Sequence, residues 1–238
     1  MQSAFTGFPP EAMQFFRGLA RNNNRDWFLP RKSIFEEKVK QPMRELVELV
    51  NAGMQRYAPD HVNEPDKAIY RFYRDTRFSK DKTPYKDHIA ATFPRRGMAR
   101  HEGAGYYFAV SHKEVAMGGG VYMPMPETLR AIRGHIAGHA DEFRRLIAGA
   151  AARKLYGGVQ GEQLARVPKG FPCDHPAANL LRYKQFLFYV TLPPEIAADR
   201  GIAGTIAEHF RAIAGFVDFL NAPFAQKKKR VDARELLL

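Results

Sequence analysis

The sequence predicts an α+β fold: a mostly antiparallel sheet with flanking helices. Three observations lead there. Apolar residues at helical spacing mark both ends of the chain. A block rich in aromatic residues, with a shorter period, lies between them. Strand and helix signals do not alternate, so an α+β domain fits better than a doubly wound parallel sheet.

Pro9 and Pro10 open a first helix, with Glu11 in its first turn where the helix dipole favours a negative charge. Ala12, Phe15, Phe16 and Leu19 form its apolar face. Asn22, Asn23 and Asn24 break the pattern, as residues that close one helix or cap the next. A longer helix is expected from about Arg31 to Tyr57, with Ile34, Phe35, Val39, Met43, Leu46, Val50 and Met54 in its stripe. Pro42 kinks it or splits it, and Ala58-Pro59-Asp60 ends it.

The period then changes. Ala68 to Phe78 is rich in aromatic residues and reads as a strand. Further strands are expected at His88 to Phe93, Tyr106 to Ser111 and Glu114 to Tyr122, with a hairpin turn at Ser111-His112-Lys113. Pro126 to Ile147 reads as one helix, with Leu129, Ile132, Ile136, Ala140 and Phe143 on one face. Gly157, Gly158 and Gly161 make a loop. His175 to Arg182 is a short helix and Gln185 to Leu192 a strand. Ile202, Ile206, Phe210, Ile213, Val217 and Leu220 mark a last helix, and a frayed basic tail begins at Gln226. No polar linker and no internal repeat divide the chain. One domain over residues 1–225 and a tail over 226–238 are expected.

The chain has 238 residues, of which 45% are hydrophobic, enough for a substantial core. A formal charge of +12 attracts polyanions without any specific site. The single cysteine, Cys173, excludes an intramolecular disulfide and suits a reducing compartment. No basic region followed by an apolar run opens the sequence, and no window approaches eighteen apolar residues. The expectation is a cytoplasmic protein with no membrane partner and no required cofactor. Its oligomeric state is not legible.

The densest chemistry lies at Arg71 to Lys86, RFYRDTRFSKDKTPYK. Six basic residues, two acidic ones and four aromatics occupy its sixteen positions. On a strand, Arg71, Tyr73, Asp75 and Arg77 would share one face. Tyr70, Phe72, Arg74, Thr76 and Phe78 would share the other, apolar face. A core-facing Arg74 needs a partner such as a carboxylate. Arg71 and Arg77 would present planar forks suited to phosphate or carboxylate, oriented by Asp75. The turn Ser79-Lys80-Asp81-Lys82-Thr83-Pro84 would bring Ser79, Lys80, Lys82, Tyr85 and Lys86 to the rim of a pocket. The competing reading is a salt-bridge network that braces a strand.

The string YRDTRFSKDKTPYK at 73–86 resembles the signature of a microbial family catalogued as domain of unknown function 2461. FTGFPPEAMQFF at 5–16, RNNNRDWF at 21–28, MGGGVYMP at 117–124 and LRAIR at 129–133 agree in order. So do VPKGFPCDHP at 167–176, LLRYKQF at 180–186 and DFLN at 218–221. The resemblance spans nearly the whole chain. It implies one cytoplasmic domain without a known cofactor, and no reaction. It groups Asn23, Arg25 and Trp27 with the arginine-rich stretch, Gly118 to Gly120, Lys169, His175, Arg182 and Lys184. A shared pocket would then use Arg71, Arg74, Asp75, Arg77, Lys80, Lys82, Tyr85, Lys169, His175, Arg182 and Lys184.

Other constellations are weaker. Met117-Gly118-Gly119-Gly120 suits a bulge or a close backbone approach, but its spacing is not a dinucleotide fingerprint. Ser79 and Lys82 have Ser-x-x-Lys spacing without the companion motifs of penicillin-binding enzymes. Cys173 beside His175 reads as a packed thiol rather than a nucleophile. His135 and His139 share a helix face but lack a third ligand, so no metal site is expected. Trp27 reads as a core anchor before a base-stacking group, and Lys227 to Arg230 as a solvated tail.

The leading functional expectation is a site for an anionic small molecule or a nucleic-acid backbone. An enzyme on a phosphorylated or nucleotide substrate, with Asp75, Asp81 or His175 as acid or base, is a second class. An interaction module whose charges are structural is a third.

Overall fold

The computed structural model describes residues 5–235, with side chains through Ala225. The fold is α+β. Four strands, β1 (His88–Pro94), β2 (Gly105–Ser111), β3 (Val115–Val121) and β4 (Phe186–Leu192), form one antiparallel sheet in the order β1-β2-β3-β4. Helices precede the sheet, fill the excursion between β3 and β4, and follow it. The chain divides into two compact units. The first holds Met1–Phe93, Tyr107–Met117 and Thr191–Glu208; the second holds Pro94–Tyr106, Gly118–Val190 and His209–Leu238.

In the first unit, α1 (Pro10–Arg21) buries Ala12, Phe15, Phe16 and Leu19. The three asparagines that follow have separate tasks. Asn22 closes α1, its N–H reaching the Gly18 and Leu19 carbonyls at 3.1 Å. Asn24 caps α2 (Arg25–Phe28), its side chain accepting the Trp27 N–H at 2.9 Å. Asn23 points away from both helices to the Tyr85 backbone.

At Pro42 the expected long helix changes type instead of running unbroken. After α3 (Lys32–Ile34), residues Phe35–Lys40 form a π-helical turn, and α4 (Gln41–Met54) continues from it. The Gln41 N–H reaches back five residues to the Glu36 carbonyl. The wide turn gives the proline ring room and removes the need for its missing N–H. α4 buries Met43, Leu46, Val47, Val50 and Met54.

The expected strand at 68–78 does not form. Ala68 ends α5 (Pro65–Ala68), and only Ile69 and Tyr73 make bridges, to Ala91 and Tyr85. Two aspartates take over the local backbone. Asp75 accepts the Arg77 N–H at 3.2 Å, and Asp81 accepts the Thr83 N–H at 2.9 Å. Such Asx turns offer the chain an alternative to a ladder. Residues 69–91 therefore make an irregular antiparallel hairpin with a broad tip. Phe78, expected on the apolar face, is 95% exposed at that tip. The hairpin turn between β2 and β3 forms as expected, with Ser111 Oγ accepting the N–H groups of Lys113 and Glu114 at 3.1 Å.

In the second unit the helix expected over 126–147 is two, α6 (Pro126–Gly138) and α7 (Ala140–Ile147). Gly138 weakens the helix and His139 leaves it, with φ −135° and ψ 40°. α8 (Ala150–Tyr156) then leads into the glycine loop. The short helix expected over 175–182 contracts to α9 (Ala178–Leu181). The expected last helix breaks once, between α10 (Ile202–Ala212) and α11 (Ala214–Glu235), where the Ile213 N–H turns to Phe210 O. The backbone of α11 runs on through the tail expected to fray. The side chains of Lys227 to Arg230 lie outside the described residues, as does the structure of residues 1–4 and 236–238.

The triple glycine of β3 resolves into a steric requirement. A Cβ at Gly118 would fall 2.1 Å from Phe188 O, and one at Gly120 would fall 2.0 Å from Phe186 O. Gly120 also has φ +127°, a region that side chains disfavour. The close backbone approach inferred from the sequence is that of β4.

Candidate functional site

The arginine-rich hairpin rests on an aromatic platform. Phe15, Phe28, Phe35 and Phe72 are buried around one another, with Phe35 and Phe72 ring centroids 4.3 Å apart. Tyr85 stacks on Phe28 at 4.3 Å, and Tyr73 leans on Tyr85 at 5.3 Å. Burying each such ring contributes about 1.5–3 kcal/mol. Asn23 then fixes the returning limb. Its Nδ2 donates to Tyr85 O at 2.9 Å, and its Oδ1 accepts the Tyr85 N–H at 3.0 Å. Trp27 packs on Phe15 at 5.6 Å and lies under the Arg31 guanidinium at 4.5 Å.

On this base the charged groups sort themselves. Arg77 binds Asp75 through two parallel hydrogen bonds, Nε at 3.0 Å and Nη2 at 2.8 Å. Arg71 reaches only the outer edge of the same carboxylate, at 3.9 Å. Arg74, less exposed than these, bonds Asp81 and Thr83 Oγ1. The Lys82 ammonium sits on Thr76 O at 2.9 Å, with no carboxylate partner among the described residues. Lys80 is exposed, and no ion pair is found for it among the described residues. Lys86 lies over the Tyr70 ring at 4.6 Å.

The electrostatics follow this geometry. Hydrogen bonds from the Arg77 side chain and backbone lower the Asp75 carboxyl from 3.8 to about 2. The Thr83 backbone N–H, then Arg74, lower Asp81 likewise to about 2. Burial raises the Tyr85 phenol, as does Tyr73 beside it, and Arg25 opposes them. Arg25 therefore stands within electrostatic reach of the platform.

Seven of the expected site residues thus belong to one hairpin: Arg71, Arg74, Asp75, Arg77, Lys80, Lys82 and Tyr85. The other four belong to the second unit. Arg182 Nε donates to Leu164 O at 2.7 Å, and Lys184 pairs with Glu162 at 3.0 Å, bracing two segments that also bridge through Gln163 and Tyr183. His175 Nδ1 accepts the Ala177 N–H at 3.0 Å ahead of α9. Lys169 lies in the loop before it. His175 also lines an open cleft of about 480 Å³ with His139, Asp141, Glu142 and Arg144. Arg144 is engaged there by Asp141 at 2.9 Å and by Pro176 O.

The remaining constellations do not become sites. His135 and His139 stack at 4.3 Å, and His135 packs on Phe219 at 4.4 Å. Among the described residues no group of three His, Cys, Asp or Glu could hold a metal. Cys173 is exposed, where a packed thiol was expected, because its Pro- and Asp-bearing loop contributes little to the core. Ser79 lies in a turn rather than at a helix start. No helix among the described residues is long and apolar enough to cross a membrane.

Sequence reasoning missed a second basic group in the first unit. Arg17 and Arg21, one turn apart on α1, lie near His112 and Lys113 of the β2–β3 turn. Their i, i+4 spacing was the available signal. It also missed Thr83 as the residue that joins Arg74 to Asp81.

No curated protein matches the chain. The family described as "Conserved hypothetical protein (DUF2461)" matches residues 11–219, and by that match over most of its length the chain belongs to this family.

Proposed function

We propose that the protein binds a phosphate-bearing anion through the hairpin at 71–86. One observation carries this reading: the positive charge of the hairpin exceeds what its own acids absorb. Six cations face two carboxylates. Asp75 is held by Arg77, and Asp81 by Arg74. Lys80 and Lys82 are left without a carboxylate, and Arg71 with a distant one. These three side chains are exposed, so a ligand reaches them at little desolvation cost. The internal ion pairs are exposed too and worth little by themselves. Their use is to hold guanidinium groups at fixed positions, which lowers the ordering cost when an anion arrives.

The partner is a phosphate-bearing small molecule or a nucleic-acid backbone. The test is a thermal-shift panel of pyrophosphate, nucleotides, polyphosphate and oligonucleotides, with an Arg71→Ala/Lys80→Ala/Lys82→Ala variant alongside. A ligand that binds only the folded state raises Tm by mass action. The expected result is a shift that the triple variant loses while keeping its own Tm. No shift with any anion would sink the reading and leave the charges a purely structural role.

A further inference from the structure

We propose that the anion is a single-stranded nucleic acid, with Phe78 as a stacking group for its bases; this rests on the anion-binding reading above. The observation is an aromatic ring at an unusual place. Phe78 is 95% exposed, the most exposed large apolar side chain among the described residues. It is carried at the tip of a hairpin with six basic residues in sixteen. The Arg77 guanidinium lies 5.8 Å from its centroid, so a cation stands beside the ring. Lys80 and Lys82 follow within four residues. Tyr73, on the outgoing limb, is a second ring in the open, 53% exposed.

The two rings differ in support. Tyr73 is bridged to Tyr85 through the backbone and leans on the Phe28–Tyr85 stack. Asn23 locks Tyr85 in turn. Tyr73 is therefore a rigid face, and Phe78 is free to meet a base from solvent. Exposed rings among unspent cations are what an unpaired strand needs. The phosphates are met by Lys and Arg, and the bases offer π-faces to aromatic side chains and to guanidinium planes. A duplex hides its base faces, and inorganic phosphate or polyphosphate has none. Neither gives an exposed phenylalanine anything to do.

The experiment is fluorescence anisotropy on the full chain with a labelled oligothymidine of about fifteen nucleotides. A duplex of equal length and an inorganic polyphosphate serve as competitors. The single strand is expected to bind at least about tenfold more tightly than the duplex. Phe78→Ala is expected to weaken the single strand by about 5- to 100-fold and to leave polyphosphate binding unchanged. Phe78→Trp should restore it and Phe78→Leu should not. Phe78 is solvated, so these variants fold, and circular dichroism checks that they do. Equal binding of single strand and duplex would overturn the inference, as would a silent Phe78→Ala. In either case loss of polyphosphate binding in the Arg71/Lys80/Lys82 alanine variant would leave the anion reading standing. Absence of binding to every probe would overturn both.

Discussion

Asn23 shows how one side chain ties the junction of two helices to a hairpin. Its planar amide presents an N–H beside its carbonyl oxygen, and the Tyr85 peptide engages both. Removing it leaves a half-buried N–H and C=O unpaired, at about 1–3 kcal/mol. Asn23→Ala should therefore lower stability by that amount in urea unfolding, and should also weaken anion binding by loosening the returning limb. The carboxylates of the same hairpin carry a pH signature. Asp75 and Asp81 titrate near about 2 when folded and near 3.8 otherwise. Their contribution to hairpin order is fully present above the ordinary value and is lost as pH falls through about 2. Carboxyl resonances followed by NMR should show midpoints near about 2. Midpoints near 3.8 would mean that the Arg77 and Arg74 pairs do not hold in solution.

At the scale of elements, long apolar periodicity was legible and local polar chemistry was not. The stripes of α1 and α4 were readable because packing against a core repeats every turn. The four strands of the sheet were readable for a similar reason. The stretch 68–78 was misread because aromatic content resembles a strand, while the Asx turns at Asp75 and Asp81 depend on hydrogen bonds that composition does not display. The break at His139 and the π-turn before Pro42 were hidden likewise, since each alters one or two backbone hydrogen bonds under an unbroken apolar pattern. Of the candidate site, the hairpin members were legible as a contiguous basic run. The second-unit members came from the family resemblance, and the structure gives Arg182, Lys184 and His175 local bracing roles. The β3–β4 pairing makes its own prediction. Gly120→Ala puts a methyl 2.0 Å from Phe186 O at φ +127°. It should cost at least about 3 kcal/mol or abolish folding. Gly134→Ala, on α6 where a Cβ meets nothing within 4 Å, is the control and should be neutral or stabilising in the same unfolding measurement.

Over the whole molecule, the charge of +12 means that some polyanion affinity at low salt is expected whatever the site does. Specific binding is distinguished by what survives as salt rises, since the electrostatic part falls steeply. Two histidines add a pH dependence of the fold itself. Burial lowers His112, helped by Lys113, Arg17 and Arg21 and opposed by Asp87. Burial lowers His135, helped by His139 and opposed by Glu142. Folding disfavours the charged form of each, so the unfolded chain binds more protons as pH falls through the ordinary histidine range, and stability falls with falling pH. Tm should drop between pH 7.5 and 5.5, and a His112→Gln/His135→Gln variant should flatten the drop.

The amide clamp of Asn23 recurs. Asn51 bonds Asn63 N–H and O at 3.3 and 2.6 Å, and Asn221 bonds Ala104 N–H and O at 2.9 and 3.0 Å. Each depends on a group that time degrades. Deamidation turns the donor into a carboxylate oxygen aimed at a carbonyl, in an otherwise unchanged shape. At Asn221, 2% exposed, the new charge would be almost cut off from water. The three clamps are thereby fastened by chemistry rather than by shape, and an exchange that keeps every contour, amide for carboxylate, is enough to open each of them.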